Sequence, residues 1–108
     1  MGRGDYLGEF EQIVLLAVAR LGDESYGMEI RREIEARTGR AVSIGAVYAT
    51  MDRLDAKGYV SSHDEGSAGR ARRFFALTAT GVDALETARA VQQKMWAGLR
   101  LKREGRQR

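Results

Sequence analysis

The chain has 108 residues, which suffices for one domain with a modest hydrophobic core but not for two. Hydrophobic residues make up 44% and charged residues 31% of it, the balance of an ordinary soluble globular protein. Because the chain has no cysteine, disulfides, zinc–thiolate sites and thiol nucleophiles are excluded. We expect a cytoplasmic protein with no membrane partner, since no segment approaches the ~20 apolar residues of a membrane span and no signal-peptide pattern begins the chain.

The net charge of +3 is weak evidence for a nucleic-acid partner because of where the charge lies. Residues 100–108 carry five basic side chains and one acid, so their local charge is +4 and that of the remaining chain is −1. The placement of charge is therefore more informative than its total. We expect residues 1–6 to be flexible and residues 102–108 to form a basic, frayed tail.

The first predicted helix, residues 7–21, has a hydrophobic face wider than one core needs. Apolar residues recur along it at helical spacing, and Leu15 and Leu16 lie beside that stripe. A helix this apolar is buried on two sides, so we expect a second molecule to cover the additional surface. A second helix is predicted over residues 26–37, with Gly39 as its left-handed cap.

The third predicted helix, residues 43–57, has small residues where exposed helix faces usually carry charges. Its apolar stripe predicts the buried side: Ile44, Val47, Tyr48, Met51 and Leu54. The other side becomes charged only from Asp52 onward, and Ser43 is placed to cap the first turn. A bare helix face permits close approach to a nucleic-acid groove or to a neighbouring helix, and this helix alone does not decide between them.

After residue 58 the hydrophobic period changes from about 3.6 to 2, which predicts a β-hairpin. Strands are predicted over residues 59–64 and 72–77, joined by a loop whose glycines allow the reversal. The hairpin is basic near its tip, with three arginines against one acid: Arg70, Arg72, Arg73 and Glu65. Thr78 is then predicted to cap a long last helix whose apolar stripe continues to Leu99.

Three helices, a hairpin and a long helix in this order are typical of a winged helix-turn-helix. We therefore predict a mainly α fold with a small β-hairpin, in which residues 7–77 form the DNA-binding domain and residues 78–101 a long C-terminal dimerisation helix. The helix after the turn would enter the major groove, where its bare first turns permit approach to base edges. The basic hairpin would contact phosphates.

Four motifs occur in an order and spacing that point to one protein family. They are YG at residues 26–27, GAVYATMDRL at residues 45–54, KGYV at residues 57–60 and RRFFALTATG at residues 72–81. Over roughly residues 7–99 the chain resembles the PadR family of bacterial transcriptional regulators. It departs from the family pattern at Ala46, which lacks the usual hydroxyl, and at Ala49, which replaces a proline.

Residue pattern and resemblance together predict a surface for double-stranded DNA on the third helix and the hairpin. Its residues are Ser43, Gly45, Ala46, Tyr48, Ala49, Thr50, Arg53, Arg70, Arg72 and Arg73. A buried ring with its hydroxyl at the rim is the competing interpretation of Tyr48. The resemblance also implies a homodimer formed through the first and last helices, acting as a repressor at an inverted-repeat operator.

The resemblance further implies an effector site, because several short members of the family bind flat aromatic ligands between their subunits. An aromatic side chain of the last helix stacks on the ligand in those proteins. The corresponding candidates in this chain are Leu15, Met95, Trp96 and Leu99. Packing in the core or at a dimer contact is the alternative interpretation of Trp96.

An enzyme is not expected, and no cofactor or metal is predicted. His63 is the only histidine and lies in a predicted strand, and without a second histidine or a cysteine, metal clusters and Ser-His or Cys-His nucleophile pairs are nearly ruled out. The alternative function is a winged helix that assembles with other proteins and uses its bare helix as a packing surface. A steep loss of duplex affinity with salt would favour the DNA-binding function, because such binding releases counterions.

Overall fold

The computed structural model describes residues 6–22, 25–66 and 72–103. Its elements are α1 (Glu9–Leu21), β1 (Ser25–Tyr26), α2 (Gly27–Thr38), α3 (Ile44–Ala56), β2 (Val60–Glu65), β3 (Arg72–Leu77) and α4 (Ala79–Trp96). The predicted mainly α fold with a small hairpin is confirmed, and β3 has the predicted range. Of the predicted flexible N-terminus only Tyr6 is described, and of the predicted basic tail only residues 102–103, which are exposed.

Helix α1 is the centre of the hydrophobic core. It contacts α2, α3, β3 and α4, and its residues Val14, Leu15 and Val18 have no exposed surface. The prediction that Leu15 faces a second molecule or a ligand is therefore wrong. The reason is that α1 contacts four elements of its own chain, which cover the part of its apolar face that carries Leu15. Leu16 is the neighbour that is exposed to solvent.

The predicted caps of α2 and α3 are present. Ser43 Oγ accepts a hydrogen bond from the Ala46 N–H at 3.0 Å, which satisfies one of the unpaired donors in the first turn of α3. Gly39 ends α2 in the left-handed conformation, with φ of 73°. These two stops keep the connection between α2 and α3 short, as a helix-turn-helix requires.

The sheet has three antiparallel strands in the order β1-β3-β2. Strand β1 is not predicted by the sequence pattern, and it adds Ser25 and Tyr26 to the free edge of β3 opposite Phe75 and Phe74. Phe75 is completely buried, so β3 contributes directly to the core. Strand β3 is thereby paired on both of its edges, with β1 on one side and β2 on the other.

Helix α4 starts directly from the end of β3. The Thr78 N–H donates to the Tyr59 carbonyl at 3.1 Å, and the Thr78 hydroxyl donates to the Gly58 carbonyl at 2.7 Å. The same hydroxyl accepts from the Gly81 N–H at 3.0 Å and caps the helix. Gly81 is buried against the Tyr59 carbonyl, where a β-carbon would collide with it.

Helix α4 ends earlier than predicted. It stops at Trp96, and Gly98 has a φ of 74°, a left-handed conformation that favours glycine and ends helices. The prediction of a helix to residue 101 is therefore too long by about one turn, and Leu99 lies beyond the helix. Gly81 is the only buried residue of α4, whose second half extends away from the core.

Candidate nucleic-acid interface

The first two turns of α3 present small, uncharged side chains to solvent. The exposed positions are Ser43, Gly45, Ala46 and Ala49. On the opposite side, Val47, Met51 and Leu54 have no exposed surface and hold the helix on the core. Because no long side chain covers the exposed side, the backbone and the N–H groups at the start of α3 are open to close approach by a large partner.

Thr50 does not belong to this exposed face. It is 2% exposed, and its hydroxyl accepts a hydrogen bond from Arg53 Nη2 at 3.1 Å. The prediction that Thr50 faces a partner is wrong because the buried side of α3 is wider than its apolar stripe. Thr50 instead orients the Arg53 side chain from below.

Tyr48 is half-buried and joins α3 to the start of α2. Its ring lies against Gly27, where a β-carbon would collide with the ring atoms, and its centroid is 6.5 Å from that of Phe75. The close approach explains why residue 27 is a glycine. Most of the Tyr48 ring is therefore packed within the chain, in agreement with the competing interpretation of this residue.

Two cations of α3 converge on one carboxylate beneath the helix. Arg53 Nε donates to Glu11 Oε2 at 3.4 Å, and Lys57 Nζ lies 3.3 Å from both Glu11 oxygens. Burial acts to raise the pKa of Glu11, but hydrogen bonds from the Gly8 N–H, Lys57 and Arg53 and the charge of Lys57 outweigh it and lower the pKa. The Arg53 side chain is still 56% exposed, so part of its guanidinium can reach a partner.

Arg72 and Arg73 point to opposite faces of the sheet, because neighbouring residues of a strand alternate. Arg73 donates from Nη1 to Asp52 Oδ1 at 2.7 Å and from Nη2 to Asp55 Oδ2 at 3.1 Å. The hydrogen bond and charge of Asp52, followed by those of Asp55, raise the pKa of Arg73. In the single chain Arg73 is therefore bound to α3, whereas the sequence analysis assigns it, with Arg72, to the DNA-binding surface.

Arg72 takes a different place, with its guanidinium carbon 4.3 Å from the centroid of the Tyr26 ring on the other face of β3. It is exposed and forms no ion pair within the described part of the chain. Arg70, the third predicted arginine of the hairpin, lies outside the described residues. Within the ranges described, Arg72 is thus the hairpin arginine available to a phosphate.

The charges of the second half of α3 are all paired within the chain. Asp52 and Asp55 bind Arg73, while Arg53 and Lys57 bind Glu11. The candidate interface therefore has an uncharged half at the start of α3 and a charge-compensated half at its end. Because side chains alternate along a strand, the sequence of β3 alone predicts that Arg72 and Arg73 lie on opposite faces of the sheet.

The predicted effector residues are not brought together by a single chain. Met95, Trp96 and Leu99 are exposed at the end of α4 and beyond it, whereas Leu15 is in the core. A cleft of about 630 Å³ does lie between the start of α1 and α4. Its lining includes Tyr6, Leu7, Gln12, Tyr59, Ala84 and Val91, and none of the predicted effector residues.

The described residues offer no metal site and no membrane-spanning helix. No group of three His, Asp or Glu side chains in residues 6–22, 25–66 and 72–103 is placed to hold a metal ion. His63 is exposed on β2, with its Nε2 3.0 Å from Glu65 Oε2. No helix in these ranges is both long and apolar enough to cross a bilayer.

The helix-turn-helix of α2 and α3, followed by the β2–β3 hairpin, defines a winged-helix fold. The chain belongs to the transcriptional regulator PadR-like family, whose family model matches residues 15–87. This is a family of transcriptional regulators and not of enzymes.

Similar proteins are known by sequence and by structure. Transcriptional regulator Rv3488 of Mycobacterium tuberculosis is 38% identical over 72 residues, and the match spans 66% of each chain, just under two thirds of that relative. A PadR family transcription regulator from Clostridium difficile has a TM-score of 0.64 at 23% identity, covering 83% of this chain and 88% of that one. A winged-helix DNA-binding protein from STIV has a TM-score of 0.67 at 20% identity, covering 86% and 97%. The two structures support the fold alone.

Proposed function

We propose that the protein is a homodimeric repressor that binds an inverted-repeat operator in double-stranded DNA. The observation that carries this proposal is the exposed, uncharged start of α3 beside the hairpin, in a chain of a transcriptional regulator family. In a major groove, Ser43, Gly45, Ala46 and Ala49 would lie nearest to the base edges. Arg53 would contact a phosphate or a guanine edge, and Arg72 a phosphate.

The homodimer is supported by the apolar surface that α4 leaves uncovered. Val91 is 52% exposed, Met95 76% and Trp96 53%, and Leu99 continues the patch beyond the helix. Exposed apolar area costs roughly 25 cal/mol per Å², so covering this surface with a second copy is favourable. Two-fold pairing would place the two α3 helices to read half-sites about one turn of DNA apart.

The test is fluorescence anisotropy with an operator duplex found by footprinting on genomic DNA, beside an unrelated duplex of equal length. We expect operator affinity to fall as salt rises from about 50 to 200 mM, because counterions are released from the DNA. Ala49→Glu places a long, negatively charged side chain in the major groove, between the two phosphate backbones, and is expected to lower operator affinity by at least about tenfold. The matched control is Ala36→Glu, which adds the same charge to the exposed side of α2. Unchanged affinity of Ala49→Glu would overturn the placement of α3, and the absence of salt-dependent duplex binding would favour the assembly function.

An effector site beside Trp96 is part of the proposal. Trp96 is the only tryptophan, so its fluorescence reports on this position alone, and its half-exposed ring can stack on a flat ligand. We expect planar cationic or phenolic compounds to quench Trp96 and to lower operator affinity in the same concentration range. A broad panel without any quenching would remove the effector and leave the DNA-binding proposal standing.

A further inference from the structure

We propose that Arg73 is a positioning residue of the wing, held by Asp52 and Asp55 so that the β2–β3 hairpin is fixed beside α3. The proposal rests on the proposed DNA-binding function for its effect on operator affinity. The contact itself is testable without DNA. The set Asp52, Asp55, Ser62 and Arg73 is named the wing clamp below.

The wing clamp connects three elements through charged hydrogen bonds. From β3, Arg73 donates to Asp52 at 2.7 Å and to Asp55 at 3.1 Å, both on α3. From β2, the Ser62 hydroxyl donates to Asp55 Oδ2 at 2.9 Å, and Arg73 Nη2 lies 3.5 Å from the Ser62 oxygen. Since both hairpin strands are tied to one helix face, the clamp sets the position of the hairpin relative to α3.

The surroundings of Arg73 disfavour a direct role at a phosphate. Its guanidinium carbon lies 5.0 Å from the centroid of the buried Phe75 ring, and the side chain is only 35% exposed. Moving it to a phosphate would break two charged hydrogen bonds. It would also leave the carboxylates of Asp52 and Asp55 unpaired beside a polyanion, where like charges repel.

The presence of two carboxylates on a DNA-facing helix is itself informative. Asp52 is exposed and close to the uncharged start of α3, so its charge acts against DNA binding. A structural role in holding Arg73 explains why an aspartate is placed there. The two neighbouring arginines therefore have separate tasks, with Arg73 placing the hairpin and Arg72 free for a phosphate.

The substitution Asp52→Asn distinguishes the two possible roles of Arg73, because a positioning role and a phosphate contact predict changes of operator affinity in opposite directions. It removes a negative charge near the DNA, so charge alone predicts tighter binding. If Arg73 were a phosphate contact restrained by Asp52, its release would also steepen the salt dependence by about one counterion. If Arg73 positions the hairpin, the loosened wing weakens operator binding although the protein has become more positive.

The experiment compares operator affinity across salt concentrations for the full chain and its Asp52→Asn, Arg73→Gln and Asp64→Asn variants. We expect Asp52→Asn to bind about 5- to 10-fold more weakly, since it weakens one charged hydrogen bond, and Arg73→Gln to bind at least as weakly, since it removes the bonds to both Asp52 and Asp55. Asp64→Asn is the matched control, because Asp64 lies opposite Arg73 in the β2–β3 register and its side chain forms no hydrogen bond or ion pair in the described residues. It is expected to bind as the parent does, or slightly more tightly. Equal or tighter binding by Asp52→Asn would overturn the proposal.

Hydrogen exchange without DNA tests the wing clamp directly. We expect faster exchange of the β2 and β3 amides in Asp52→Asn and Arg73→Gln than in Asp64→Asn, with α1 amides unchanged in all three. The Asp52→Asn/Arg73→Gln double variant should exchange no faster than Arg73→Gln alone, since losing the Arg73 guanidinium already removes its hydrogen bond to Asp52. Unchanged exchange in the single variants overturns the clamp. If the parent binds no duplex, the proposed function fails while this comparison still decides the clamp.

Discussion

Helices α3 and α4 precede and follow the same hairpin, yet the chain covers them very differently. Three apolar residues of α3 have no exposed surface, and the charges of its last two turns are paired. Helix α4 has 18 residues, of which only Gly81 is buried, and its last turns expose Met95 and Trp96. One chain therefore covers the apolar side of α3 completely but leaves the end of α4 uncovered, which is the surface that the proposed homodimer would bury.

The largest effect is expected from Leu54→Ala, which breaks the covered side of α3. Leu54 has no exposed surface, and removing buried methyl groups leaves a cavity in the core. We expect a loss of about 2–5 kcal/mol in the free energy of unfolding, measured by urea denaturation. A loss below 1 kcal/mol would contradict the assignment of α3 to the core.

A smaller effect is expected from Gly81→Ala, which tests how α4 is attached. The new methyl group would collide with the Tyr59 carbonyl and push α4 from the core. We expect about 1–3 kcal/mol of destabilisation, with faster hydrogen exchange concentrated in α4. Gly45→Ala is the matched control, because the only neighbour of its β-carbon is the Ser43 hydroxyl at 4.0 Å. That variant should be as stable as the parent or slightly more so.

The pairing of α3 with α1 through Glu11 predicts a pH-dependent effect. Since the pKa of Glu11 is lowered in the folded chain, the charged carboxylate stabilises the fold above the ordinary carboxyl range and the benefit is lost as pH falls through the lowered pKa. We expect Glu11→Gln to lose about 1–2 kcal/mol near pH 7. The gap between parent and variant should close below about pH 4, as urea titrations at several pH values would show. A gap that is constant with pH would refute the role of the charge.

The smallest effect on the single chain is expected from Met95→Ala. Because this side chain is 76% exposed, its loss should change the unfolding free energy of the monomer by less than about 0.5 kcal/mol. Self-association measured by analytical ultracentrifugation should nevertheless weaken at least severalfold if α4 pairs with a second copy. Unaltered self-association would place the dimer contact elsewhere.

Much of the fold follows from periodicity and capping signals in the sequence. Helical spacing identifies α1, α2 and α3, Ser43 and Thr78 start two helices as predicted, and alternation identifies β3. Strand β1 has only two residues, too few to show a period, and exists because the edge of β3 accepts it. Helix α4 ends early because Gly98 adopts a left-handed conformation, and the apolar stripe that continues to Leu99 does not reveal this stop.

The candidate site was less predictable because its polar side chains have partners from other elements. Thr50 was expected to face outward as a hydroxyl residue, but Arg53 one turn later satisfies its oxygen. Arg73 was expected to be free, but its partners lie on α3, about 20 residues away in the chain. Leu15 was assigned to a partner because sequence shows how wide an apolar face is and not which element covers it.

The direct attachment of α4 to the hairpin has a mechanical consequence for the proposed dimer. Only Thr78 separates β3 from α4, and two hydrogen bonds to Gly58 and Tyr59, in the turn between α3 and β2, restrain it, so no hinge lies between them. A helix of 18 residues is a lever of about 27 Å. If α4 turns by about 10° about its C-terminal end, its N-terminal end at the hairpin moves by roughly 5 Å. This is more than the ~3.4 Å rise of one base pair. A small rotation between subunits would thus shift the two recognition helices out of step with their half-sites.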